Sequence, residues 1–296
     1  MTGPGAPPAL ELFSGIGAFA CAARGRFRIL QAFDQDEEAN KVYLANHRAK
    51  PCSTNLCSVS TDHLSVPLRP GWFLSPPCQP YSKKGRGRDV DDPRAQALLH
   101  LADLVQSARP EFVLLENVPP FASSRACSIL TAALEAAGLL VRGVTLCPTE
   151  LGIPNRRSRF YLLATRSPLP DRPPLRTVGA SLASYLDPEP APALFLDGRF
   201  VAEHGSVLDV VDDRGVAACF GASYGKARSR AGSVLAGDHG FRLFSPEEIL
   251  RLHHFPPGFA FPAEASLRTR YRLAGNSINV AVLGILLDWL RKGLGA

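Results

Sequence analysis

The stretch ALELFSGIGAFA, residues 9–20, decides the fold class. Its apolar first half is typical of a short buried strand, and the glycines that follow allow a tight turn into a helix. Gly15, Gly17 and Ala20 fit the G-x-G-x-x-G/A spacing of a loop whose backbone a nucleotide-type cofactor approaches closely. The sequence therefore predicts an α/β domain with a mostly parallel sheet and helices on both faces.

A second apolar segment, residues 28–33, ends at Asp34. An acidic residue at the end of a second strand accepts hydrogen bonds from ribose hydroxyls, in NAD enzymes and in S-adenosylmethionine (SAM) enzymes alike. The loop and Asp34 together therefore predict a ribose-bearing cofactor and leave its identity open.

A cysteine follows the third predicted strand, Trp72-Phe73-Leu74, in the loop Ser75-Pro76-Pro77-Cys78-Gln79. Prolines fix φ and remove backbone donors, so the thiol is held on a rigid turn. A thiol at the C-terminal end of a strand is a candidate nucleophile; the alternative is a small buried residue in a turn. Residues 112–115 predict another strand, and Glu116 at its end would lie beside Cys78 if the two strands are neighbours.

Two basic segments stand out. Residues 82–89 contain glycine and basic side chains, which predicts either a solvated loop or a flap that closes on a phosphate backbone. Arg157 and Arg159 alternate as they enter the apolar segment 160–165, and a strand's two-residue repeat would place them on one face. The alternative is that the two arginines lie in a row on the protein surface without a catalytic role.

Length and composition fit one large α/β domain with a small inserted lobe. The chain has 296 residues, 46% of them hydrophobic, and its net charge of +6 permits a polyanionic partner. We expect a cofactor-binding domain at 9–166, a lobe at 167–240, where the regular pattern breaks, and a returning C-terminal segment at 241–296. In the last of these, Ser245 and Glu248 predict a helix capping box.

Seven scattered cysteines and a segment 1–8 unlike a signal peptide predict reduced thiols and a cytoplasmic protein, a nuclear location being open. Cys52 and Cys57 have no second Cys/His pair nearby to complete a tetrahedral zinc site, so we expect no metal. No apolar run approaches the roughly 20 residues that span a bilayer, so no membrane is expected.

Taken in order, the motifs resemble those of a known family. The set comprises Phe13-Ser14-Gly15-Ile16-Gly17, Pro76-Pro77-Cys78-Gln79, Glu116-Asn117-Val118, the Asn155/Arg157/Arg159 cluster and Gly275-Asn276-Ser277. It closely resembles the cytosine-5 nucleic-acid methyltransferases, and within them the "type 2" DNA-methyltransferase homologues that methylate tRNA. The resemblance implies a Rossmann-like SAM-dependent methyltransferase fold with an inserted target-recognition lobe. It also implies a monomer that methylates an anticodon-loop cytosine, typically of aspartate tRNA.

The resemblance assigns catalytic roles to Cys78, Glu116, Arg157 and Arg159. Cytosine C5 is a poor nucleophile, so the Cys78 thiolate would add at C6 to activate it. Glu116 would hydrogen-bond N3 and the exocyclic amine, which identifies cytosine and relieves charge as the adduct forms. Arg159, with Arg157 behind it, would hold O2 and orient the ring.

The resemblance also implies two sets of binding residues. The SAM site would comprise Phe13, Ser14, Gly15, Ile16, Gly17, Ala18, Asp34, Gln35, Leu56, Ser75, Asn276 and Ser277. The nucleic acid would contact Lys83, Lys84, Arg86, Arg88, Cys219, Phe220 and Tyr224. In this chain Gly221 replaces the threonine of the usual Cys-Phe-Thr signature, and Ser82-Lys83-Lys84 is more basic than the usual Thr-Arg.

Other functions are compatible with parts of the sequence. DNA methylation would use the same chemistry. A short lobe, however, favours recognition of RNA loops over recognition of base edges in a DNA major groove. A non-catalytic nucleic-acid-binding relative would need no thiol. An NAD-dependent oxidoreductase leaves the Pro-Pro-Cys-Gln loop unexplained, and an amino-group methyltransferase would carry an aromatic residue where Cys78 stands.

Overall fold

The computed structural model of the chain describes residues 5–64, 69–82, 87–226 and 232–295. The chain forms two compact units. The first comprises Met1–Leu146, Ser158–Pro174 and Leu283–Ala296, and the second comprises Cys147–Arg157 and Leu175–Val282.

The elements alternate between strand and helix over the first half of the chain. The strands are β1 Pro8–Leu12, β2 Arg28–Phe33, β3 Gly71–Leu74, β4 Phe112–Asn117, β5 Leu140–Leu146, β6 Arg159–Thr165, β7 Asp209–Val211, β8 Ser233–Gly237 and β9 Gly240–Leu243. The α-helices are α1 Ala18–Ala23, α2 Glu37–His47, α3 Thr61–Leu64, α4 Gln96–Ala108, α5 Arg125–Ala136, α6 Gly198–His204, α7 Pro246–Leu252, α8 Leu267–Asn276 and α9 Val280–Gly293.

The first unit is built on a sheet of order β2-β1-β3-β4-β6-β5. Strands β1 to β4 are parallel, which confirms the predicted mostly parallel sheet. Leu12 pairs with both Phe33 and Leu74, and Leu74 pairs with Leu115, so these strands end at a common edge. The loops after β1, β2, β3 and β4 therefore emerge together, as expected of a site in an open α/β sheet.

Strand β6 runs antiparallel between β4 and β5. Asn117 at the end of β4 pairs with Phe160 near the start of β6, so the beginning of β6 lies at the edge where β4 ends. This reversal brings Arg159, the first residue of β6, to the loops that follow the parallel strands.

Apolar side chains of α4 and α5 pack against one face of this sheet. Leu98, Leu101 and Val105 are buried at helical spacing along α4, and Leu130 of α5 joins the same cluster. Burying each such side chain contributes about 1.5–3 kcal/mol. In β3, Gly71 leaves room for a ring, since a Cβ there would overlap Phe112.

The second unit contains a small sheet of order β7-β8-β9 and the helices α6 to α8. Ser245 and Glu248 form the predicted capping box at the start of α7. Glu248 is also fully buried and pairs with Arg242 of β9 at 2.7 Å. The boundary expected at residue 240 lies inside this unit, because pairings such as this one bind α7 to the small sheet.

Residues Leu267–Gly293, which contain α8 and α9, form the one segment among the described residues that is long and apolar enough to cross a membrane. This corrects the expectation that no such run exists. In the fold, 78% of its most apolar window is buried inside the protein, as is usual for core helices.

Candidate active site

The Cys78 loop is fastened to the end of the neighbouring strand. Asn117, 1% exposed at the end of β4, donates its side-chain amide to the carbonyl of Pro76 at 3.1 Å. The backbone N–H groups of Tyr81 and Ser82 donate to the carbonyl of Cys78 at 3.1 and 3.0 Å. These bonds hold the partly exposed cysteine on a turn directly after β3.

A carboxylate and a guanidinium meet at the same edge. Glu116 Oε1 and Arg159 Nε lie 3.2 Å apart, and both side chains are largely buried, at 10% and 15% exposure. Such a pair fixes the direction of the carboxylate and keeps a cation beside it. Because β3 and β4 are neighbours in the sheet, Glu116 emerges next to the Cys78 loop, as the sequence predicted.

Arg94 is a further cation near Cys78. Asp92, 3% exposed, accepts hydrogen bonds from Nε and Nη2 of Arg94 at 2.9 and 2.7 Å, and these bonds lower the pKa of Asp92 to about 2. The pKa of Arg94 is raised, mainly by Asp92 and to a smaller extent by the charge of Cys78. Sequence reasoning missed Arg94; its only local signal was the Asp-Pro-Arg turn before α4.

The glycine loop has an unusual backbone. Phe13, Gly15 and Gly17 have φ angles of 61°, 52° and 89°, and a positive φ at a phenylalanine is a strained conformation that its surroundings must hold. Ser75 donates its hydroxyl to the carbonyl of Phe13 at 2.7 Å. Asp34 accepts the N–H of Gly15 at 2.7 Å. Two of the residues predicted to bind cofactor therefore build the loop itself.

The loop residues fit a polar, ribose-bearing ligand. Ser14 Oγ is buried and has no hydrogen-bond partner among the described residues, so a ligand group could satisfy it. No described atom lies within 4 Å of the place where a Cβ on Gly15 would be, which leaves space for close approach. Ile16 and Ala18 are buried, Gln35 is exposed beside Asp34, and burial raises the pKa of Asp34.

Leu56 is placed less favourably for its predicted role. It is 4% exposed and belongs to the hydrophobic cluster that includes Leu10 and Leu12. The structure therefore shows Leu56 first as a core residue.

A buried carboxyl group that the sequence did not reveal lies in β1, directly before the glycine loop. Glu11 of β1 is fully buried; it accepts the hydroxyl of Tyr43 at 2.9 Å and the N–H of Ala20 at 3.3 Å. Burial raises its pKa to about 8, against the opposite effect of these bonds. The ring of His47 lies beside Gly17, 4.4 Å from the Tyr43 ring, and burial lowers its pKa to about 4.

Arg157 is not placed as the sequence predicted. Strand β6 begins at Arg159, so the two-residue repeat does not extend back to Arg157, which belongs to the second unit. Its side chain is buried, and its guanidinium donates to Cys219 Sγ and to the carbonyls of Phe220, Gly275 and Ser277. The expected grouping of both arginines on one strand face is therefore wrong.

The second unit also changes the interpretation of two aromatic residues. Phe220 and Tyr224 are fully buried, with their rings 5.0 Å apart, and the Tyr224 hydroxyl donates to the carbonyl of Ser233. We correct their assignment from substrate contacts to the core of this unit, because no surface of either side chain is available to a nucleic acid. Cys219 is partly exposed, Asn276 is exposed and Ser277 is buried.

The basic loop is described only in part. Lys83, Lys84 and Arg86 lie outside the described residues, whereas Arg88 is described and exposed. The loop closes at Asp89, whose N–H donates to the carbonyl of Pro80 at 3.2 Å and whose carboxylate accepts the N–H of Arg125 at 2.6 Å. Within the described ranges, no three His, Cys, Asp or Glu side chains are grouped to hold a metal ion.

Comparison with known proteins agrees with this geometry. Residues 8–189 match the model of the family described as "C-5 cytosine-specific DNA methylase". The chain is 29% identical to a tRNA (cytosine(38)-C(5))-methyltransferase of Schizosaccharomyces pombe, over 96% of this chain and 97% of that protein. It is 26% identical to a DNA (cytosine-5)-methyltransferase of Dictyostelium discoideum, over 95% of this chain and 93% of that protein. The structure of the Entamoeba histolytica methyltransferase EhMeth is similar, with a TM-score of 0.91 at 26% identity over 98% of this chain and 99% of that one.

Proposed function

The chain belongs to the C-5 cytosine-specific DNA methylase family, and we propose that it methylates C5 of a cytosine in tRNA with SAM as the methyl donor. The observation that carries the proposal is the edge at which Glu116 and Arg159 pair next to the strand that presents Cys78. A thiol, an oriented carboxylate and a guanidinium are the groups that addition to a cytosine ring requires.

In this proposal Cys78 adds through its sulfur to C6 of the cytosine, which makes C5 nucleophilic. Glu116 binds N3 and the exocyclic amine, and Arg159 holds O2 while it keeps Glu116 oriented. Once C5 carries the methyl group, loss of the C5 proton and departure of the Cys78 thiolate restore the aromatic ring. Arg94 favours the thiolate form of Cys78 by its positive charge.

The glycine loop would hold the cofactor. When bound, SAM supplies an electrophilic methyl group. Ser14 offers a buried hydroxyl without a partner in the described structure, and Gly15 offers space for close approach. Asp34 retains acceptor capacity for ribose hydroxyls beyond the bonds that it accepts from the backbone N–H groups of Gly15 and Asp36. The resemblance also assigns Asn276 and Ser277 to SAM binding.

The proposed substrate is a cytosine of the tRNA anticodon loop, with aspartate tRNA as the first choice from the resemblance. A loop base costs less to extrude into a pocket than a paired one. The Schizosaccharomyces pombe relative is named for cytosine 38 of tRNA, which supports this choice. The Dictyostelium relative is named for DNA, so duplex DNA is the alternative substrate with the same chemistry.

The deciding experiment supplies labelled SAM with deproteinised tRNA or with duplex DNA. We expect label in tRNA, located by bisulfite sequencing at one anticodon-loop cytosine. Label in DNA alone would overturn the tRNA assignment, and label in neither would support a non-catalytic relative.

The covalent step has its own test. RNA carrying 5-fluorocytosine at the target cannot lose the C5 substituent as a proton, so wild-type protein should remain attached to it in a denaturing gel. Cys78→Ala should form no adduct and no product while it still binds SAM. An active Cys78→Ala variant would refute the mechanism.

A further inference from the structure

The guanidinium of Arg157 joins two segments of the second unit that are far apart in sequence. Nη1 donates to Cys219 Sγ at 3.2 Å and to the carbonyl of Phe220 at 3.0 Å. Nη2 donates to the carbonyls of Gly275 at 3.1 Å and Ser277 at 2.5 Å. Only arginine offers donors in a fork wide enough for two such pairs of acceptors.

A separate observation shows how closely the same segments approach each other. A Cβ on Gly275 would lie 2.5 Å from the carbonyl carbon of Gly221 and 2.7 Å from the nitrogen of Ala222. The two backbones are therefore in direct contact, and no side chain at position 275 other than hydrogen fits between them. We call this contact, together with the four Arg157 hydrogen bonds, the Arg157 tie.

Burial argues against a direct contact between Arg157 and the base. The residue is 3% exposed, and both terminal nitrogens of its guanidinium already donate to protein acceptors. A hydrogen bond from either terminal nitrogen to cytosine O2 would require one of these bonds to break and would leave a buried acceptor unpaired, which is unfavourable. Arg159, by contrast, stands at the sheet edge beside Glu116.

We propose that Arg157 is a positioning residue through which tRNA and SAM increase each other's affinity. The proposal rests on the proposed function and on the roles that the resemblance implies, in which Cys219 contacts tRNA and Asn276 with Ser277 contacts SAM. A ligand that orders one segment also orders the other through the Arg157 tie. The second ligand then binds a segment that has already lost its conformational entropy, so its binding is more favourable. Because such coupling is reciprocal, it can be measured from either side.

Two variants break the tie in different ways. Arg157→Lys keeps the charge but has three N–H donors on a single nitrogen, which cannot make all four bonds. Gly275→Ala keeps Arg157 and separates the segments by a methyl group. Arg156→Lys is the matched control, since Arg156 is exposed and pairs only with Asp209 at 3.2 Å among the ion pairs of the described residues.

The first measurement is amide hydrogen exchange without ligands, on peptides covering residues 217–222 and 273–279. Both variants should exchange faster than wild type in both peptides, and Arg156→Lys should not. The second measurement is the tRNA dissociation constant with and without S-adenosylhomocysteine. Wild type should bind tRNA at least about fivefold tighter with this cofactor product. The variants should retain less than about a twofold effect.

Three results would overturn the proposal. The first is unchanged hydrogen exchange in both variants, and the second is absence of coupling between tRNA and cofactor in wild type. The third is that the variants lower kcat while their affinities for tRNA and cofactor stay intact, which would place Arg157 at the reacting atoms. If Arg157→Lys does not fold, Gly275→Ala decides alone. Failure of wild type to methylate tRNA would refute the proposed function instead, and the exchange result is independent of it.

Discussion

Replacing Glu11 by glutamine should remove a specific part of the pH dependence of stability. Glu11 is fully buried in β1, and burial raises its pKa from the ordinary 4.5 to about 8. Between these two values the folded chain holds a proton on Glu11 that the unfolded chain has lost. The free energy of unfolding therefore falls as pH rises through this window, by at most about 1.4 kcal/mol per pH unit.

The magnitude follows from the two pKa values. Between about pH 5.5 and about pH 7.5 the contribution of Glu11 to the free energy of unfolding should fall by about 2.5 kcal/mol. Glutamine cannot titrate, yet its amide can still accept the N–H of Ala20 and donate to the Tyr43 hydroxyl. The difference in unfolding free energy between wild type and Glu11→Gln should therefore change by this amount across the window.

Urea unfolding at a series of pH values measures this difference, because all other titrating groups contribute equally to both proteins and cancel. Glu264→Gln, at an exposed carboxylate, is the control and should show a constant difference. A constant difference for Glu11→Gln as well, within about 0.5 kcal/mol, would refute the reasoning. It would mean that the carboxyl is already ionised in the folded protein at acidic pH.

Three further outcomes follow from single contacts. Arg94→Gln should slow alkylation of Cys78 by iodoacetamide severalfold at neutral pH, because a cation that favours the thiolate is lost; peptide mass spectrometry resolves Cys78 from exposed Cys57, whose rate should not change. Asn117→Ala should lower kcat for tRNA methylation at least about tenfold, since the Cys78 loop loses its bond to β4, with SAM affinity by calorimetry unchanged. Gly71→Ala should lower the unfolding free energy by about 1–3 kcal/mol in urea, because the methyl group overlaps Phe112, whereas Gly198→Ala, at a site with open space, should not.

Local patterns predicted the parts of the fold that depend on short segments. The glycine spacing at 15–20, the apolar run at 112–115 and the capping box at Ser245 each act within a few residues, and each stands where the sequence placed it. The neighbouring positions of the Cys78 loop and Glu116 were also predictable, because parallel strands bring their C-terminal ends to one edge.

Tertiary packing determined what the sequence could not show. The segment Cys219–Tyr224 is rich in small residues and reads as a loop, but Phe220 and Tyr224 bury their rings against Phe244 and Tyr271, which lie far along the chain. Arg157 looked like part of a strand because Arg159 is, yet the strand begins two residues later. Glu11 appeared to be one polar residue in an apolar strand, and only the fold shows that Tyr43 completes its environment.

These corrections separate two kinds of residue at the proposed site. Cys78, Glu116 and Arg159 have side-chain groups at the sheet edge, where a base could reach them. Asn117 instead donates to a backbone carbonyl of the Cys78 loop, and Ser75 donates to a backbone carbonyl of the glycine loop. Asp34 accepts a backbone N–H of the glycine loop. Substitution of a residue in the second kind should therefore change loop geometry before it changes the chemistry. A loss of activity alone cannot distinguish the two, whereas hydrogen exchange in the supported loop can, since it should rise only for the second kind.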